Sequence, residues 1–186
     1  MGLILKDKIK KLTKGYPTRT AKEQVEGGVL GGTVNLLPGE VVLFGAQPGE
    51  FVAPTIFDAT KIAGIALATN VKLVTEYPGK SLDAPFVPGE AINLMISGYI
   101  AVKAGSFTGT DKATIEANVK TAFTTGNYKE GTGATTADGK LFTNGTLEGF
   151  NAFYTGVYEI VGYTSETVET VTTYTANVLA EIKYNM

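Results

Sequence analysis

Histidine, cysteine and tryptophan are absent from the 186 residues of this chain. Without histidine, the side chain that most readily moves protons near neutral pH is missing, and so is the commonest metal ligand. Without cysteine there is no thiolate nucleophile, zinc–thiolate site, iron–sulfur cluster or disulfide, and no indication of redox compartment. Stability must come from packing, strand pairing or assembly. Charged residues are also scarce, at 18% against the ~25% usual in soluble domains. No apolar stretch reaches the ~20 residues that a membrane-spanning helix needs. The opening Met1-Gly2-Leu3-Ile4-Leu5-Lys6 puts its charge after its apolar residues, the reverse of a signal peptide, and Lys6 stands where a myristoylation signal has Ser or Thr. Neither a membrane nor a lipid anchor is expected.

The residues that are present divide unevenly. The net charge is only −2, yet residues 1–22 hold Lys6, Lys8, Lys10, Lys11, Lys14, Arg19 and Lys22 against Asp7 alone. A basic arm, residues 1–24, therefore precedes an acidic body, residues 25–186. Such an arm suits an acidic surface, either a neighbour's or the chain's own. With one Arg and one aromatic, Tyr16, it is poorly equipped for base stacking or groove reading, so nucleic acid is not an expected partner. Leu5, Ile9 and Leu12 follow helical spacing, but Tyr16-Pro17 would end any helix.

The body reads as mainly β. Pro-Gly-Glu occurs at 38–40, 48–50 and 88–90, and each copy leads into an apolar run. Proline presets the first central position of a turn, and glycine tolerates the positive φ of the second. The expected strands are 41–44, 51–53, 62–68, 71–75, 91–96, 99–104, 150–158, 159–163 and a Thr-rich run over 166–184, closing with 178–184. Gly27-Gly28 and Gly31-Gly32 read as breakers. Residues 106–150 read as an insertion holding one helix and one hairpin. Thr110 or Asp111 would cap the helix, Ile115, Val119 and Phe123 would form its buried stripe, Glu116 and Lys120 would pair, and Thr125-Gly126 would end it. Asn144-Gly145 reads as the hairpin turn rather than as a glycosylation site. The expected whole is a compact β-barrel or sandwich-like domain with an N-terminal arm.

Chemistry finds little footing. Glycoside hydrolysis needs two facing acids, but no spacing singles out a pair among Asp58, Glu90, Glu148 and Glu159. The region of Asp138 and Asn144 lacks calcium-loop spacing, and no phosphate-binding glycine loop is present. The expectation is a non-enzymatic protein with no catalytic residues, no metal and no cofactor. The aromatics of 150–163 read chiefly as core, with Tyr154 and Tyr158 as candidates for a sugar-stacking platform.

Five stretches stand out in order: Lys6-Asp7-Lys8-Ile9-Lys10-Lys11 with Gly15-Tyr16-Pro17; Leu37-Pro38-Gly39-Glu40-Val41-Val42-Leu43-Phe44-Gly45; Ile62-Ala63-Gly64-Ile65-Ala66-Leu67; Tyr77-Pro78-Gly79 followed by Pro88-Gly89-Glu90 and residues 91–102; and Ile160-Val161-Gly162-Tyr163 through Ile182. Together they resemble the structural cement proteins that decorate tailed-phage heads. The resemblance implies a β-barrel-like domain bound in many copies, as trimers on the family's pattern, to the outside of an icosahedral capsid after synthesis in the bacterial cytoplasm. Its partners would be the major capsid protein, other copies of itself and other head proteins. Lys8, Ile9, Lys10, Lys11, Leu12, Tyr16 and Pro17 would make the capsid contact. Deleting residues 1–20 should then abolish capsid binding and leave the body folded. A head-fibre base, a tail or baseplate subunit, and a carbohydrate-binding module are the rival readings.

Overall fold

The same four-residue turn introduces three strands of the fold. In the computed structural model, which describes residues 12, 15, 17–18, 24–56, 58–68, 85–104, 107–137, 140–143 and 151–185, Gly39, Gly49 and Gly89 have φ of 81°, 75° and 95°. The glutamate after each glycine donates its N–H to the carbonyl three residues back, at 3.2 Å for Glu40, 3.1 Å for Glu50 and 3.1 Å for Glu90. Its carboxylate then turns back on the same residue's N–H: Leu37 to Glu40 at 2.9 Å, Gln47 to Glu50 at 3.1 Å and Val87 to Glu90 at 2.8 Å. Each glutamate thus satisfies both polar groups of the residue that opens its turn. Glu90, a possible acid by its residue type, is a turn clamp.

Among the described residues the strands are β1 (Gln24–Leu30), β2 (Val41–Phe44), β3 (Glu50–Val52), β4 (Ile62–Ala66), β5 (Ala91–Lys103), β6 (Phe107–Gly109), β7 (Ala134–Ala137), β8 (Lys140–Thr143), β9 (Ala152–Val168) and β10 (Val171–Asn185), with one α-helix, α1 (Lys112–Thr124), between β6 and β7. The fold is mainly β, as expected. Five strands close a barrel in the order β1-β3-β2-β4-β5, with β5 returning to β1. Among the described strands only β1 and β3 pair in parallel. Closure leaves no free edge in the barrel itself. β5 then continues past the barrel, and β10 pairs with it from Asn185↔Ser97 to Leu179↔Lys103. β9 pairs with β10 along nearly its whole length.

All five barrel strands contribute to one buried cluster: Leu30, Phe51, Val42, Ala63 and Ala66, and Ile92 and Leu94, closed by Leu36 and Phe86 from the connections. A second, larger cluster joins the opposite sides of β2, β4 and β5 to β9, β10 and the helix. Ile115, Val119 and Phe123 of α1 are buried in it, so the helix of the insertion shares the main core.

Several boundaries differ from expectation. Gly27-Gly28 lies inside β1 rather than breaking the chain, because a Cβ at Gly28 would stand 2.3 Å from the Phe51 ring and 2.6 Å from the Gly49 carbonyl oxygen. The expected strands 91–96 and 99–104 fall in one continuous strand, Ala91–Lys103, and β9 runs unbroken from Ala152 through the expected boundary at 158–159. The Thr-rich run divides at Glu169-Thr170, where Val168↔Val171 closes the β9–β10 hairpin. β7 and β8 pair antiparallel with Ala137 opposite Lys140. Asn144-Gly145 and the expected strand at 71–75 lie outside the described residues.

Candidate functional site

β10 alternates strictly. Val178, Ala180, Ile182 and Tyr184 enter the main core, which turns Leu179 and Glu181 to the opposite face. That face is closed by the N-terminal segment. Leu12 is 4% exposed and sits in a small cluster with Ala101 and Leu179, flanked by Val157. Its N–H donates to Glu159 Oε2 at 2.7 Å. Gly15 N–H donates to the Ala101 carbonyl at 2.8 Å, and the Gly15 carbonyl accepts from Ala68 N–H at 2.8 Å. Pro17 bridges to Ile100, and Thr18 N–H donates to the Tyr99 carbonyl at 3.0 Å. Leu12, Gly15, Pro17 and Thr18 thus mark a strap that starts on β5, reaches β10 and ends at Glu159 of β9.

Glu181 lies under this strap with no exposed surface. Its carboxylate accepts from the Thr18 and Thr155 hydroxyls, the latter at 2.7 Å. Burying a carboxylate without such donors costs several kcal/mol. The strap therefore completes the solvation of Glu181, and Glu181 in turn fixes the strap.

Gly15 makes the path possible. Its φ is +75°, and a Cβ there would stand 2.6 Å from Pro38 Cβ and 3.1 Å from the backbone nitrogens of Ala68 and Gly39. The strap is thereby wedged against the first Pro-Gly-Glu turn.

Of the expected contact residues, Leu12 is buried against the body, whereas Pro17 bridges to Ile100 with its own surface exposed. Lys8, Ile9, Lys10, Lys11 and Tyr16 lie outside the described residues. Leu12 therefore packs within the chain, and deleting residues 1–20, expected to leave the body folded, would carry a structural cost. Such a deletion would uncover Leu179 and remove the Thr18 donor from Glu181. A cut after Lys11 keeps the strap.

The aromatic residues form a second constellation. Phe123 stacks on Tyr128 at 4.9 Å and on Tyr158 at 4.4 Å, and Tyr154 meets Phe123 and Tyr128 edge-on at 6.4 and 5.1 Å. Tyr154 is buried, so it cannot serve in an exposed sugar platform. Its hydroxyl has no hydrogen-bond partner among the described residues, and burial, then the neighbouring Tyr128, pushes its pKa up. Burial also pushes Tyr184 up, to about 12.

Comparison with protein-family models and with curated proteins finds no match.

The helix carries its own fixtures. Asp111 caps it, accepting from Thr114 N–H at 2.7 Å and from the Thr114 hydroxyl at 2.7 Å. The backbone bond, then the hydroxyl, holds the Asp111 carboxyl below its usual range. Glu116, expected to pair with Lys120, accepts from Tyr163 Oη at 2.8 Å. Burial and then Glu116 raise the Tyr163 pKa. Lys112 lies 5.2 Å and 5.7 Å from the ring centres of Tyr163 and Tyr174. These contacts tie α1 to the β9–β10 hairpin.

Sequence reasoning missed Gly15, Thr18, Thr155 and Glu181 as site residues. Glu181 alone left a signal, a lone carboxylate within the apolar alternation Val178-Leu179-Ala180-Glu181-Ile182. For Thr18 and Thr155 there was none, since their shared partner is visible only in three dimensions.

Proposed function

We propose that this chain is a virion structural protein that binds the outer surface of an icosahedral phage capsid as a homotrimer and cements the lattice of the major capsid protein. The observation that carries the reading is the strap. The residues directly behind Lys8-Ile9-Lys10-Lys11 are fastened to a closed barrel by main-chain bonds, a buried leucine and a buried carboxylate. A load on the basic segment would be passed to a rigid sheet. Burial of Leu12 alone is worth about 1.5–3 kcal/mol. The ordered resemblance to cement proteins and the barrel architecture support the same reading.

In this role Lys8, Lys10 and Lys11 meet acidic capsid residues, Ile9 and Tyr16 add apolar contact, and Leu12 and Pro17 anchor. A ligand that binds only the expanded lattice stabilises that state through its binding free energy, by about 2.7 kcal/mol per site at a concentration of 100 Kd. The test is cosedimentation with empty, expanded capsids of the cognate major capsid protein, using the full chain and its Lys8→Glu/Lys10→Glu/Lys11→Glu variant. The full chain should pellet with capsids saturably and less well at high salt, and the variant should stay in the supernatant. A full chain that stays in the supernatant overturns the reading.

A further inference from the structure

Among the described strands, β9 is the long one left with an open side. The barrel is closed, and β10 has β5 and β6 on one side and β9 on the other. β9 pairs with β10 alone, and past Tyr154 no described residue bonds to the main chain of its outer side. Proteins usually guard such an edge with Lys, Pro or a bulge. Ala152–Val168 contains no Lys, Arg or Pro. Its bulges, opposite Asn177/Val178 and Ala180/Ile182, interrupt the inner part of the strand, but from Gly162 to Val168 the register is unbroken.

The turn fixes which groups this edge offers. Val168 and Val171 close the hairpin across Glu169-Thr170, with Glu169 at φ 57°, so this pair exchanges ladder bonds. Antiparallel ladders alternate. The main-chain groups of Glu166 and Thr164 therefore turn toward β10, and those of Thr167, Ser165 and Tyr163 turn outward. The Thr167 and Thr172 hydroxyls, 3.0 Å apart, fit this phase, because side chains stand closest at pairs without ladder bonds. Ser165, Glu166 and Thr167 are exposed.

We propose that the outer side of Gly162–Val168 pairs antiparallel with the same segment of a second copy, around a twofold axis at Ser165. In that register every outward residue meets an outward partner: Ser165 meets Ser165, and each Tyr163 meets the other copy's Thr167. Glu166 then stands opposite Thr164, so no carboxylate directly faces its own copy. Tyr163 gains a β-branched neighbour, a stabilising cross-strand pair. The result is one sheet, β10-β9-β9-β10, running through both copies. So short a segment makes a small contact, and the association is weak and concentration-dependent.

The inference concerns the free protein and does not rest on the capsid reading. A twofold contact is isologous and cannot close a trimer. If both hold, this edge joins one trimer to the next.

The absence of native cysteine allows a direct test with full-length Ser165→Cys and Thr173→Cys, both at exposed positions of the hairpin. Cα atoms paired at the axis, about 5.5 Å apart, lie within disulfide reach, whereas Thr173 is one strand removed. Under mild oxidation Ser165→Cys should form interchain dimers at least about tenfold faster than Thr173→Cys, because pairing raises the local thiol concentration. Equal rates overturn the proposal. Sedimentation velocity from micromolar to millimolar protein is the second measurement. The full chain should shift toward a larger species as concentration rises. Ser165→Lys, which sets two ammonium groups face to face at the axis, should need at least about tenfold more protein for the same shift. A full chain whose sedimentation does not change with concentration overturns the pairing. Association that Ser165→Lys leaves unaltered also overturns it, because another surface is then responsible.

Discussion

At Gly15 a single hydrogen atom in place of a methyl group decides whether the N-terminal segment can lie on the body. The positive φ would cost a larger residue about 1–2 kcal/mol, and the 2.6 Å approach to Pro38 Cβ adds a clash. Neither backbone neighbour yields easily: Gly39 N–H is bonded to the Ala66 carbonyl at 2.7 Å and Ala68 N–H to Gly15 itself. Gly15→Ala should therefore destabilise the protein by about 2–4 kcal/mol in urea unfolding, and a loss below ~0.5 kcal/mol would show that the strap contributes little. Tyr154 presents the opposite case. Its buried hydroxyl finds no partner among the described residues, so Tyr154→Phe removes an unsatisfied group and keeps the ring. Stability should rise by about 1 kcal/mol; a clear decrease would reveal a partner for the hydroxyl.

Among the elements, the barrel strands depend on glycines of two kinds. Gly89 opens a turn at φ 95° and a Cβ there would meet nothing within 4 Å, whereas a Cβ at Gly28 would enter the Phe51 ring. Gly89→Ala should cost about 1–2 kcal/mol, from backbone strain alone, and Gly28→Ala about 3 kcal/mol or more. Denaturation of the two variants side by side measures the difference, and the reverse order would contradict this division. The same contrast explains what was legible beforehand. Pro38-Gly39, Pro48-Gly49 and Pro88-Gly89 act locally, so their turns and the strands after them could be read from sequence. The helix was readable too, from Asp111 and the spacing of Ile115, Val119 and Phe123. Gly28 looks like the same punctuation but answers to Phe51 in another strand. The strap was hidden for a similar reason: Leu12 bonds to Glu159, and Thr18 to Glu181, across most of the chain.

At the scale of the whole molecule, Tyr154 and Tyr184 join the hairpin to the core and make stability sensitive to alkali. An unfolded tyrosine ionises near pH ~10. Burial holds Tyr184 protonated to about pH 12 and raises Tyr154 as well. Above pH ~10 the folded chain thus retains protons that the unfolded chain releases. This contribution is complete below pH ~10 and is lost as pH rises through the folded-state values, by up to ~1.4 kcal/mol per pH unit for each tyrosine. Urea unfolding between pH ~9 and ~11.5 should show the decline, with a shallower slope in Tyr154→Phe; a flat profile would place both hydroxyls in contact with water.

The proposed cementing role would be a property of the protein and shell together. Empty, expanded capsids can be heated with enough protein to fill its sites while light scattering follows disruption of the shell. A higher disruption temperature with the full chain, and no change with Lys8→Glu/Lys10→Glu/Lys11→Glu, is expected of a cement anchored through its strap. An unchanged disruption temperature with the full chain at saturating concentration would contradict that role.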